Sequence, residues 1–175
     1  AVEDPETLAK ALARWDRNSE YWRLLAADPA YIHSVKHTKE WLEKEQEKDP
    51  PAIYLFSVRS LEDDRLIGEI GLDGVSWSQG DTFVVLSIGE PADWGKGYGT
   101  DAMRVILRYA FKELNLRRVT LDVFEYNPRA MRSYEKAGFT YEGRARKFLH
   151  RDGQRYDLIF MGILREEWEA RYADW

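Results

Sequence analysis

Apolar residues recur at Leu8, Ala11, Leu12 and Trp15, spacings of three and four that predict an amphipathic helix at the head of a helical region, residues 6–48. The stretch TKEWLEKEQEK adds a charged helix for which Thr38 is the expected N-cap, and Pro50-Pro51 stop it. The pattern then shortens to strand length: AIYLFSVR (52–59), RLIGEIGL (65–72) and TFVVLSI (82–88), with turn residues between them. Met103, Leu107, Ala110, Phe111 and Leu114 return to a helical stripe, and RRVTLDVF (117–124) is again a strand. NPRAMRSYEKAG carries its own stops: Asn127 suits an N-cap, Pro128 a first helical position and Gly138 a C-terminal break. FTYEGRARKFL and QRYDLIFMGIL, joined by HRDG, read as a hairpin, and REEWEARYADW closes the chain as a short helix or tail. The order describes one mixed α/β domain over residues 1–175, a mostly antiparallel twisted sheet of about six or seven strands flanked by helices. The opening starts without Met and enters a helix at once, which leaves room for a leading strand outside this sequence.

Composition narrows the partners. The net charge of −5 argues against nucleic acid, whose phosphates call for clustered Lys and Arg. With no Cys, disulfides, thiolate catalysis and cysteine-based zinc sites are excluded. No apolar run approaches the ~20 residues of a membrane-spanning helix and no signal peptide is visible, so the cytoplasm is the expected compartment. His33 and His37 stand four apart, half a metal site at best; with no third ligand in register they read as a surface pair, and no metal is expected. His150 falls in a turn and takes no role.

The segment DWGKGYGT (93–100) carries the chemistry. A nucleotide P-loop fails here because Gly97, not Ser or Thr, follows Gly95-Lys96. A dinucleotide fingerprint is matched by Gly97, Gly99 and Ala102 with Asp122 downstream, but GEPADWGK separates the strand from the first glycine. The third reading is a pyrophosphate loop opening a helix, with successive N–H groups from Gly95 to Thr100 facing anionic oxygens. A tight strand-to-helix turn alone would need only one glycine.

WGKGYGTDAMRVILRYAF followed by NPRAMRSYEKAGF resembles the GNAT superfamily of N-acetyltransferases, and among them the ribosomal-protein-alanine, RimJ/RimL-like branch. The family loop, R/Q-x-x-G-x-G/A, aligns at Trp94, Gly95, Lys96, Gly97, Tyr98 and Gly99, with Trp94 where Arg or Gln is commonest. The second motif matches at Asn127, Ala130, Tyr134, Gly138 and Phe139. The resemblance spans about residues 52–168 and implies a GNAT-like fold and transfer of an acetyl group from acetyl-CoA to an amine. The acceptor would be a protein N-terminus or a small molecule, attacking directly through a tetrahedral intermediate. It implies a cofactor-binding core over 52–139, with acceptor-shaping elements in the helices of 6–48 and the hairpin of 139–164. A silent acyl-CoA-binding module on the same fold is the alternative.

The resemblance also distributes roles. Ile88 and Gly89 would meet the pantetheine, a backbone N–H there acting as oxyanion donor. Gly95, Lys96, Gly97, Tyr98, Gly99 and Thr100 would cradle the pyrophosphate, and Asn127 would add a hydrogen bond to its capping role. Tyr134, two turns beyond Asn127, would protonate the leaving thiolate, a phenol of pKa ~10 acting on a thiol of ~8.5. For the base, the residues themselves leave Glu90 as the first choice, Glu69 as the second and water as the third, since an α-amino group of pKa ~8 needs little help. Trp15, Tyr21, Trp22, Tyr31, Trp41, Phe148 and Tyr156 are either acceptor clamps or core. Overall acidity favours a cationic acceptor. The chain's aromatic surplus and the C-terminal EEWEARYADW point to leftover apolar surface and a homodimer.

Overall fold

The computed structural model describes residues 4–173. Its helices are α1 (Pro5–Trp15), α2 (Ser19–Leu25), α3 (Val35–Gln46), α4 (Tyr98–Arg108), α5 (Pro128–Ala137) and α6 (Arg165–Arg171). The strands are β1 (Ile53–Arg59), β2 (Leu66–Ser76), β3 (Asp81–Ile88), β4 (Arg118–Phe124), β5 (Thr140–Arg151) and β6 (Gln154–Leu164), in the sheet order β1-β2-β3-β4-β6-β5. Every neighbouring pair is antiparallel except β3 and β4. Six strands and this pairing meet the sequence expectation.

Period-two patterning puts helices on both faces of the sheet. Tyr54, Phe56 and Val58 of β1 face the main core, where Met103, Leu107 and Phe111 of the α4 segment meet Leu121, Ile163 and Trp168. Leu55, between them, faces Leu8 of α1 and Leu42 of α3. Trp168 and Tyr172, expected as surface for a second copy, instead pack together in this core, and the Tyr172 hydroxyl donates to the Ala137 carbonyl at 3.1 Å. The C-terminal helix therefore offers no leftover apolar face as grounds for a homodimer; Trp175 lies outside the described residues.

Local signals held where a side chain caps its own neighbours. The Asn127 carboxamide accepts from Ala130 N–H at 3.1 Å, and Gly138 ends α5 at φ 110°. The hairpin turn is narrower than HRDG: Asp152 and Gly153, at φ 51° and 73°, form it alone. One capping expectation needs correcting. Ser34 caps α3, and Thr38 lies one turn inside it, buried, with a hydroxyl that finds no partner among the described residues.

A long-range clamp fixes α2. Arg151, at the end of β5, donates to the Arg23 carbonyl, to the Ala26 carbonyl at 2.5 Å and to the Tyr126 hydroxyl at 2.7 Å. Arg151→Met would leave the Ala26 carbonyl without its donor, while the Arg23 carbonyl keeps the Tyr126 hydroxyl. We expect a stability loss of about 1–3 kcal/mol, read as a lower midpoint in urea at unchanged slope; an unchanged midpoint would remove the clamp's structural role.

Candidate active site

β3 and β4 pair only over Asp81–Phe83 with Arg118–Thr120. Beyond that they part, and a cleft of about 330 Å³ opens between them, walled by the glycine loop, α2 and α5. The antiparallel register between β2 and β3 decides which backbone groups reach it. Gly89 N–H is committed to the Ile67 carbonyl at 2.9 Å, so the residue before it turns its N–H and C=O away from β2, toward the gap. The Ile88 carbonyl is taken by the Trp94 indole N–H at 2.7 Å. The backbone donor expected around Ile88–Gly89 thus narrows to Ile88. Gly89 serves packing instead: a Cβ there would sit 2.0 Å from the Trp15 ring.

The loop is held from beneath. Arg65 grips buried Asp93 with two hydrogen bonds, 2.7 and 3.0 Å, and keeps its carboxyl below the usual range. Trp94 carries the Arg129 guanidinium 4.1 Å above its ring. Gly95 and Gly97 adopt φ 77° and 94°, a left-handed conformation that side-chain-bearing residues rarely take, and a Cβ on either would project into open space. Gly97 is the N-cap of α4 and offers no side chain to the first-turn N–H groups, which are unpaired among the described residues. Tyr98, Gly99 and Thr100 line that opening. Lys96 does not: it turns to Asp93 at 3.6 Å with more than half its side chain in solvent. Three cations that the sequence reading missed, Arg129, Arg132 and Lys136, face the cleft from α5. Their spacings of three and four were the available signal.

Asn127 and Tyr134 line this cleft from the same helix, as two turns of separation predicts. The Tyr134 hydroxyl has no hydrogen-bond partner among the described residues. Burial, with the Asp122 charge adding to it, pushes its pKa up to about 12, so at neutral pH it is a donor.

A second cavity of about 480 Å³ lies on the α1–α3 side of the sheet. The two share Tyr21 and Leu25, so they meet at α2. At that meeting point the Tyr21 hydroxyl donates to Ser87 Oγ at 3.1 Å, and Ser87 stands opposite Glu69 in the β2–β3 register. Glu69 lines the second cavity and makes no ion pair among the described residues. Burial raises its pKa to about 7, and the nearby Asp16 carboxylate contributes in the same direction. Glu90 is placed differently: its carboxylate is 40% exposed and paired with the Arg14 guanidinium at 3.0 Å. Tyr21, Trp22, Tyr31 and Trp41 line the cavity, whereas Trp15 is core, Phe148 is exposed and Tyr156 packs on Tyr126. His33 and His37 also line it, which replaces the expected surface pair: His33 precedes α3 and binds Asp16 through Nδ1 at 2.6 Å.

One cleft thus offers unpaired backbone donors and cations at a helix start, which suits a phosphate-bearing group. The other offers carboxylates and aromatic faces, which suits a cation. A carboxylate titrating near neutrality stands at their junction.

The family model for the acetyltransferase (GNAT) domain matches residues 3–140. A Bacillus subtilis (strain 168) relative named probable N-acetyltransferase YjcK is 34% identical over 153 residues, 85% of this chain and 81% of the relative. A second from the same organism, provisionally named ribosomal N-acetyltransferase YdaF, is 29% identical over 95% of this chain and 89% of its own. Among solved structures, spermidine N-acetyltransferase from Vibrio cholerae in complex with CoA and spermine superposes with a TM-score of 0.80 at 24% identity, covering 91% of each chain. No helix among the described residues is long and apolar enough to cross a membrane. The glycine loop and Asn127–Phe139 motif that resembled the family lie on either side of one cleft, and with the domain match across most of its length the chain belongs to the GNAT family and is an N-acetyltransferase.

Proposed function

We propose that the chain acetylates a primary amine of a cationic small molecule, with acetyl-CoA in the 330 Å³ cleft and the acceptor in the acidic, aromatic cavity behind it. The observation that carries this reading is the junction, where Glu69, Ser87 and Tyr21 stand between the two spaces. The V. cholerae neighbour, solved with CoA and spermine, supports the pairing of a CoA donor with a cationic amine.

The glycine loop fits the donor. Gly95 and Gly97 leave open space where side chains would stand, and the start of α4 presents N–H groups without acceptors among the described residues. These groups, with Arg129, Arg132 and Lys136, would hold the phosphates. Bound acetyl-CoA supplies the thioester carbonyl and the thiol leaving group. The Ile88 N–H would donate to the carbonyl oxygen as negative charge gathers there. Glu69 would take the acceptor's ammonium proton, and Tyr134 would donate to the departing sulfur. Glu69 replaces Glu90 as the base because it lines the acceptor cavity and titrates near neutrality, whereas Glu90 neutralises Arg14.

The test is thiol release from acetyl-CoA over spermidine, aminoglycosides and short peptides with free N-termini. Spermidine or another polycation should be turned over fastest. Preference for a neutral peptide N-terminus would contradict the cationic acceptor. Gly97→Glu puts a charged side chain where the phosphates would lie and strains φ 94°. Calorimetry should show acetyl-CoA affinity reduced by at least about 100-fold; equal affinity would remove the loop from the donor site.

A further inference from the structure

We infer that His33, oriented by Asp16, is a specificity-determining residue that reads a second amine on the acceptor, so that the preferred substrates are di- or polyamines. This rests on the cationic acceptor proposed above and adds a residue and a second contact to it.

Asp16 ends α1 and has only 3% of its side chain exposed. It receives the His33 backbone N–H at 3.3 Å and approaches His33 Nδ1 at 2.6 Å. A carboxylate can only accept, so in neutral His33 the proton sits on Nδ1 and Nε2 keeps its lone pair. Nε2 has no partner among the described residues, and His33 lines the acceptor cavity. The ring is fixed as well as oriented. Tyr31 lies 4.3 Å and Trp22 5.0 Å from it, centroid to centroid. The Thr38 hydroxyl, buried and unsatisfied, belongs to the same cavity wall.

Glu69, on β2 beside β3, and the exposed Tyr31 and Ile32 all line this cavity. His33 holds Asp16, whose charge acts on Glu69, so His33 stands one residue removed from the proposed base. A second ammonium would donate an N–H to Nε2 while Trp22 and Tyr31 present ring faces to its charge. A monoamine of equal reactivity would leave these groups unused. Asp16 acts through His33 and is a positioning residue: its carboxylate selects the tautomer and pins the 31–33 segment.

The experiment compares spermidine with n-butylamine, which presents one amine only. For the wild-type protein, kcat/KM should favour spermidine by at least about tenfold, the usual worth of a hydrogen bond to a charged group. His33→Leu should erase most of that ratio through KM for spermidine, and His33→Gln, whose amide oxygen can accept, should restore part of it. An unchanged ratio in folded His33→Leu, checked by its melting temperature, would overturn the inference. Calorimetry with spermidine keeps the two readings apart. Spermidine affinity that depends on His33 without acetylation of either amine would sink the acetyl-transfer assignment and leave this inference standing. Spermidine affinity independent of His33, or none, would overturn it whatever the activity.

Discussion

Glu69→Gln should lower kcat by about 10²–10⁴ and at the same time make the protein more stable at alkaline pH. Both effects come from one placement. The carboxyl titrates near 7 in the folded protein against a reference value of 4.5, because burial disfavours its charge and Asp16 adds a like charge. A base poised near 7 is half ionised where the enzyme works, and kcat/KM should climb through about pH 7 as the carboxylate forms. The folded state binds this proton more tightly than the unfolded chain. The stability linked to it is complete below about pH 4.5 and is lost as pH rises through about 7, where the charged form must be kept in the cavity. Gln carries no charge to bury. It should gain on the order of 1–3 kcal/mol at pH 8, fade toward no difference at pH 4, and flatten the acid limb of the rate profile. Denaturant midpoints at the two pH values and a full rate profile provide the check. An acid limb that survives in Glu69→Gln would move the base elsewhere, with Glu90 next to be tested.

Tyr134→Phe should cost about 10²–10⁴ in kcat while acetyl-CoA affinity stays within a few-fold. With a pKa pushed up to about 12, Tyr134 is a weaker acid than free tyrosine, and against a thiol in water the transfer would run uphill. The leaving sulfur, however, would depart beside this same buried hydroxyl. There its own charge is disfavoured and its affinity for the proton rises, so the gap in water is not the gap in the site. What burial secures is that the hydroxyl is protonated, unshared and aimed at the cleft when negative charge appears. Phe keeps the ring contact with Phe139, 6.1 Å between centroids, so packing should change little. A loss confined to KM would show that the hydroxyl only helps binding. A large drop in melting temperature would assign it a structural role.

Signals confined to a few consecutive residues were legible in the sequence. Asn127, Pro128 and Gly138 bounded α5, alternation found the strands, and the glycines found the start of α4. Such features are decided by neighbours in the chain. The acceptor side was not legible, because it is assembled across the fold. Glu69 and Glu90 are both carboxylates close to strand ends. Only the β2–β3 register and the helices laid over it put one in a cavity and the other beside Arg14. The Asp16–His33 contact closes over 17 residues and the Arg65–Asp93 grip over 28, distances at which no periodicity speaks. Thr38 misled for a different reason. Its hydroxyl could cap a helix, but Ser34, one turn earlier, already does, and the register of the cap fell there.

Donor and acceptor are proposed to occupy two spaces that meet at Tyr21 and Ser87. A conjugate joining the CoA sulfur to a terminal amine of spermidine through an acetyl linker tests it most directly, because each half should fill its own cleft at once. Calorimetry should find the conjugate bound at least about 100-fold more tightly than CoA alone. That gain should disappear in Trp22→Ala, whose side chain lines the acceptor cavity and not the donor cleft, and the conjugate should fail to bind Gly97→Glu. A conjugate that binds no better than CoA would mean that the two cavities do not serve one reaction.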